Sequence, residues 1–218
     1  AGSGNIVISN GAGDTRTIPV GDITQVSFSG NTANINPGAD LLRGSVYNVQ
    51  LASGVIKDAA GNPFAGITNA TTLNFSMAAA APTMLAAGDL IFMSANADAT
   101  DSFAIALLKP VAAGTQIGFT DRDYTAAGGM PATGESAYLW TADIAYPAGT
   151  IITVQTNPNP PIVDKGSVQG AGGGLSTSAE TIYAFQGTIA GLTATTGGAI
   201  TVDRFLAAVN IGTAAGDI

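Results

Sequence analysis

The 218-residue chain contains no cysteine and no histidine, and only 10% of its residues are charged. Without cysteine there is no disulfide staple, no thiolate nucleophile and no Cys-ligated zinc or iron–sulfur centre. Without histidine the Ser-His-Asp triad, the commonest general base and most transition-metal sites are gone as well. Cations are scarce too, with 7 Lys and Arg against 15 Asp and Glu, a net charge of −8 and a pI near 4.1. The basic residues are scattered, so nucleic acid and anionic membrane surfaces find no docking patch. The longest apolar run, around Met77 to Ala87, is Ala-rich and broken by Pro82. It is neither a membrane span nor the core of a signal peptide.

What remains is a hydrophobic fraction of 46%, a mean hydropathy of +0.32 and 29 glycines. That is too apolar for a disordered chain and long enough for one or two domains with real cores. Nearly every periodic segment alternates with period 2 or is a short β-branched run bounded by Gly, Asn, Asp or Pro, which predicts an all-β protein. Strands are expected over 5–9, 15–19, 25–29, 32–35, 45–51 and 71–76, then over 89–94, 102–108, 115–120, 136–141, 150–155, 181–186 and 199–205. Asn10-Gly11, Gly13-Asp14 and Gly30-Asn31 supply the positive-φ positions of tight turns. Residues 79–86 lack polar alternation and contain Pro82, so they read as a linker between a domain over 1–78 and a second β-sandwich over 87–218. The Pro- and Gly-rich stretch 157–174 reads as a long surface loop. Two segments, Pro110 to Ile117 and Pro147 to Ile152, enter a strand through the same Ala-Gly-Thr turn.

The acidic residues carry the most specific geometric expectation. If strand 102–108 turns through 109–114 into 115–120 as an antiparallel hairpin, Asp101 and Asp121 return to one end of one sheet. The connection from Asp121 to the strand at 136 brings Glu135 back to that end, and Asn96, Asp98 and Asp123 flank it. These six residues form a candidate metal site, and hard oxygen ligands without His or Cys suit calcium. The competing reading is a set of turn-forming residues that cap strand ends, each solvated separately. The Lys57-Asp58-Ala59-Ala60-Gly61-Asn62 loop is a weaker cation candidate and reads better as a turn closed by an Asx bond.

Catalytic signatures are poor, and the chain is expected not to be an enzyme. Asp121 with Glu135 is the one conceivable acid/base pair, and two neighbouring carboxylates serve a cation equally well. The glycine run 170–174 lacks the Lys-Ser/Thr and the helix of a phosphate loop. Tyr138 and Trp140 share one face of a strand, and with Tyr124 they are candidates for a carbohydrate-stacking platform. Core packing is the commoner fate of such residues.

The stretches GNIVISNGAGDTRTI (4–18), VSFSGNT (26–32), INP (35–37) and IKDAAGNPFAGI (56–67) resemble the bacterial Ig-like domain of surface-layer proteins and large bacterial surface or secreted proteins. The resemblance runs to about Ser76 and implies a structural or adhesive module. The family's domain usually opens with one or two further strands, so this Ig-like sandwich is expected to lack its N-terminal strand or strands, or to take them from a neighbour by strand donation. The second half, through AGDLIF (87–92), NADATD (96–101), FTD (119–121) and WTA (140–142), is similar to an all-β module recurring in large secreted bacterial proteins, and that similarity implies no activity. Together these readings predict a calcium-stabilised structural subunit or fragment of a bacterial extracellular assembly, a surface layer or surface filament, built through contacts with copies of itself or with adjacent domains. The alternative is an accessory carbohydrate-binding or adhesive region of a large secreted enzyme or adhesin, with a cell-surface glycan as partner.

Overall fold

A computed structural model of the chain describes residues 2–98, 100–124, 130, 135–171, 174–175, 180–193 and 197–211. The chain divides between Ala80 and Ala81 into two compact all-β units. No helix among the described residues is long and apolar enough to cross a membrane.

The first unit holds β1 (Asn5–Ser9), β2 (Thr15–Pro19), β3 (Val26–Ser29), β4 (Thr32–Ile35), β5 (Val46–Leu51) and β6 (Asn74–Ser76). Four of them form an antiparallel sheet in the order β2-β1-β5-β6, and β3-β4 form a hairpin of their own. Alternation sets which face is buried: Ile6, Ile8, Ile18, Tyr47, Val49 and Leu51 point inward to meet Val20, Val26 and Val55. The β1–β2 turn follows the predicted chemistry, with Gly11 and Gly13 at positive φ and Asn10 Oδ1 accepting from the N–H groups of Ala12 and Asp14. Tyr47 is anchored at its tip, where its hydroxyl donates to the Asp14 carboxylate and accepts from the Leu42 N–H.

The second unit holds β7 (Leu90–Asn96), β8 (Ser102–Leu107), β9 (Gln116–Thr120), β10 (Ala137–Thr141), β11 (Ile151–Gln155), β12 (Ile162–Val163), β13 (Ser167–Ala171), β14 (Glu180–Ala190) and β15 (Ala199–Ile211). They form two antiparallel sheets, ordered β12-β11-β8-β7 and β13-β10-β9-β14-β15, that enclose one core. Phe103, Ile105 and Leu107 of β8, Ile117 and Phe119 of β9, Trp140 of β10 and Ile152 and Val154 of β11 fill it. Phe103 and Phe119, one from each sheet, pack with ring centroids 4.8 Å apart.

Three expectations are corrected. The predicted hairpin of 102–108 with 115–120 does not form, because β8 pairs with β7 and β11 while β9 pairs with β10 and β14. The connection crosses from one sheet to the other, and both strands bury apolar residues across the core instead of bonding edge to edge. The stretch 157–174 is not simply a loop: β12 and β13 lie within it, and only 172 and 173 of it fall outside the described residues. The expected linker over 79–86 is in large part structure of the second unit. Leu85 is completely buried in that core, the Thr83 N–H donates to Thr115 Oγ1, and Thr83 Oγ1 accepts from the Ala112 N–H.

The two Ala-Gly-Thr turns share one solution. Gly114 and Gly149 sit at φ of 81° and 85°, and Thr115 and Thr150 each donate their hydroxyl, at 2.7 Å, to the carbonyl three residues earlier. Gly at the third turn position carries the positive φ that a side chain would resist. Ala86–Asp89 repeats the backbone turn, with Gly88 at 87° and the Asp89 N–H bonded to the Ala86 carbonyl.

Candidate functional site

The arch between β8 and β9 still brings Asp101 and Asp121 to the same end of the second unit, now from opposite sheets. Both are buried, at 7% and 5% exposure. Asp101 precedes β8, and its carbonyl accepts from the N–H and hydroxyl of Thr156, just past β11. Its carboxylate lies hard against Gly174, where a Cβ would fall 1.7 Å from Oδ2. Asp121 follows β9 and is hydrogen-bonded through Ser136, yet its Oδ1 is fully buried with no hydrogen-bond partner among the described residues. Burial pushes the Asp121 carboxyl above the ordinary carboxylate range, Ser136 draws it back, and the nearby Glu135 charge raises it further. Tyr138 joins the two: burial raises its hydroxyl, bonds to Ser136 and Thr156 oppose the shift, and the charges of Asp121 and Asp101 add to it.

A buried arginine follows Asp121 in the chain. Arg122 is 2% exposed, with Nη1 donating to the Gly198 carbonyl at 2.7 Å and Nε to the Glu135 carbonyl at 3.2 Å. A Cβ on Gly197 would come within 2.4 Å of its Nη2, so the guanidinium is seated on bare backbone. Thr120 Oγ1 donates to the Ser136 carbonyl and accepts from the Arg122 N–H. Arg122 thereby ties the β9–β10 connection to the turn before β15. Sequence reasoning passed over it; the available signal was an arginine between two aspartates in a chain with few cations.

The other predicted ligands do not join. Asn96 is exposed at the end of β7 and closes a local turn, its amide donating to the carbonyls of Asp98 and Thr100 and its Oδ1 accepting from the Asp98 N–H. Asp98 and Asp123 are exposed. Glu135 is exposed and contributes its carbonyl to Arg122 and its charge to the field at Asp121. Among the described residues no three Asp or Glu gather as a ligand set. Of the six residues, Asp101 and Asp121 are buried at one end with the charge of Glu135 nearby, while Asn96 closes a turn and Asp98 and Asp123 are exposed. In the first unit, Asp58 closes the turn read from its spacing, accepting from the Asn62 N–H and side-chain amide, both at 2.8 Å.

The carbohydrate platform is corrected as well. Tyr138 and Trp140 are 2% and 0% exposed, and Trp140 Nε1 donates to the Lys165 carbonyl at 2.7 Å. Strand β10 lies between β9 and β13 with that face toward the core, so neither ring can meet a sugar. Tyr124 alone is half exposed, set edge-on against Phe205 at 5.2 Å. It borders a depression of about 480 Å³ that is also lined by Met130, Asp203, Arg204 and Phe205.

The class defined by these observations is a tandem of two all-β, sandwich-like units whose polar clusters serve turns and strand ends. Residues 1–77 match the family model of the bacterial Ig-like domain, so an N-terminal domain of that type is present, followed by a second all-β module. No curated protein and no solved structure matches the chain.

Proposed function

We propose that this chain is a non-catalytic structural module of a bacterial extracellular chain or assembly, a surface layer or surface filament. The observation that carries the reading is the Ig-like match over residues 1–77 followed by a second sandwich with its own core. The residue types that chemistry or sugar stacking would use are absorbed into packing and turns: Trp140 and Tyr138 into the core, Asp58 and Asn96 into loop closure. Contacts with copies of itself or with adjacent domains of a longer chain build the assembly, and strand donation to the β2 or β6 edge of the first sheet is one route. Calcium at the end of the second unit marked by Asp101 and Asp121 stabilises it by neutralising carboxylate charge buried there. Electron microscopy of native material with and without chelator tests the reading: an ordered array that loosens on chelation is expected, and a dispersed, chelator-insensitive monomer would sink it.

A second reading rests on Tyr124, the one member of the predicted aromatic platform that is exposed. An accessory glycan-binding role would place a sugar against Tyr124 beside Asp203 and Arg204. A glycan array separates the readings, with signal that Tyr124→Ala abolishes favouring the second.

A further inference from the structure

Charge is divided unequally between the two units. Up to Ala80 the chain carries 3 Lys and Arg against 4 Asp and Glu, and beyond it 4 against 11. The second unit therefore holds nearly all of the net charge of −8, and its few cations are engaged. Lys109 and Lys165 pair with Asp89 and Asp164, Arg122 is buried against main-chain carbonyls, and Arg204 Nη1 donates to the Leu85 carbonyl. A field of this sign draws small cations to the unit.

One place on the unit joins that charge to aromatic rings, on the face of the sheet β13-β10-β9-β14-β15 turned away from the core. Ile182 and Ala184 of β14 point into the core, so Tyr183 and Phe185 point out, and Phe205 lies opposite Phe185. Tyr124 meets Phe205 at 86° and 5.2 Å, and Tyr183 supports Phe205 at 5.6 Å. Two rings at a right angle leave a corner bounded by a face of each. Both line the depression of about 480 Å³, a size that suits a small ligand.

A bulge adds a carboxylate. The register steps from Gln186 opposite Arg204 to Gly187 opposite Val202, which leaves Asp203 unpaired in β15. Gly187 makes the step possible, since a Cβ there would fall 2.0 Å from the Thr201 carbonyl oxygen. Bulges re-aim the side chain they free. Asp203 is exposed, lines the depression and enters no ion pair among the described residues. Arg204 borders the depression too, but its charge is directed elsewhere. It lies opposite Gln186, on the other face of the strand from Phe205, and both Gln186 and Arg204 reach the backbone of residues 83–85.

We infer that this depression binds a quaternary ammonium group. The faces of Tyr124 and Phe205 attract a cation lodged within about 6 Å of their centroids, and Asp203 supplies the opposite charge beside them. A quaternary nitrogen has no N–H to satisfy and presents methyl groups to the rings, whereas a primary ammonium would bring three donors to a corner built of ring faces. The inference does not depend on the assembly reading, and it competes with a neutral sugar for the same rings.

Choline chloride, titrated into the full chain at constant ionic strength and followed through its methyl resonance by NMR, tests it. Saturable, millimolar binding is expected, weakened about fivefold by Tyr124→Ala and by Asp203→Asn and retained in Tyr124→Phe, with melting temperatures unchanged. The neutral isostere 3,3-dimethyl-1-butanol is expected to bind about tenfold more weakly. No saturation up to about 50 mM choline, an isostere that binds as tightly, or variants that bind like the parent would each overturn the inference. Cosedimentation with phosphatidylcholine vesicles would assign the ammonium to a lipid headgroup, and choline binding without it to a soluble or polymer-borne source. A neutral glycan bound through Tyr124 in a chain that ignores choline overturns the inference and leaves the carbohydrate reading; choline binding with a blank glycan array does the reverse.

Discussion

At Asp121 a single carboxyl group sets the electrostatic character of one end of the second unit. Its pKa lies above the ordinary carboxylate value, chiefly because burial disfavours its charge, so the protonated form stabilises the fold. That contribution is full below the ordinary carboxylate range and is lost as pH rises through the raised, folded-state value. Chemical denaturation of the calcium-free protein is expected to show stability falling over that window, and Asp121→Asn to remove the dependence. Millimolar calcium is expected to remove it too, since a bound cation takes the place of the proton. The turn aspartates act with the opposite sign. Asp22 and Asp58 are held below the ordinary range by hydrogen bonds from Thr24 and Asn62, so their stabilisation is present above the ordinary value and disappears in acid. Arg122 contributes through hydrogen bonds to main-chain carbonyls. Arg122→Met leaves the carbonyls of Gly198 and Glu135 without their buried donor, and urea unfolding is expected to show a loss of about 2–3 kcal/mol in the second unit.

At the scale of the element, the second unit pairs its large aromatics with glycine. Tyr138 lies opposite Gly170 on β13 and Phe185 opposite Gly118 on β9, and a Cβ at either glycine would come within 2.5 Å of the ring. Gly166 makes the same room for Trp140, with 2.6 Å to Nε1. The glycine is a space requirement here, so Gly118→Ala is expected to overpack against the completely buried Phe185 and cost about 1–3 kcal/mol, readable as a lower melting temperature. This pairing also explains why β13 was illegible in the sequence. Gly166 and Gly170 follow a Pro-rich run and raise the turn score of a segment whose strand character depends on Tyr138 and Trp140, nearly thirty positions earlier. Strands such as β1, β2 and β4 were legible to the residue because short runs rich in Ile, Val and Thr are bounded there by Gly4 and Asn10, by Asp14 and Pro19, and by Asn31 and Asn36. Which strands pair was less so. The alternation of β8 and β9 is the same whether they bond in one sheet or face each other across a core, and only the packing of Phe103 on Phe119 distinguishes the two. The Asp101–Asp121 end survived that error because an arch and a hairpin both return the chain to the side it left.

At the scale of the whole molecule, two compact units with separate cores imply two cooperative events. One core is built on Ile6, Ile18, Tyr47 and Leu51, the other on Phe103, Ile117, Phe119 and Trp140, and the chain divides between Ala80 and Ala81. Leu85 tests where the second begins. Read from the sequence it is linker, whereas in the fold it is fully buried in the second core, and Gln186 Oε1 accepts its N–H at 2.8 Å. Truncating a linker leucine would change nothing measurable; truncating a core leucine costs about 2–5 kcal/mol, the lost transfer energy plus the cavity. Differential scanning calorimetry of Leu85→Ala is therefore expected to show one of two transitions moved down by several degrees and the other in place. Assigning the displaced transition is direct, because Ile6→Ala should move the remaining one, and a Leu85→Ala trace identical to the parent would return 81–86 to the linker.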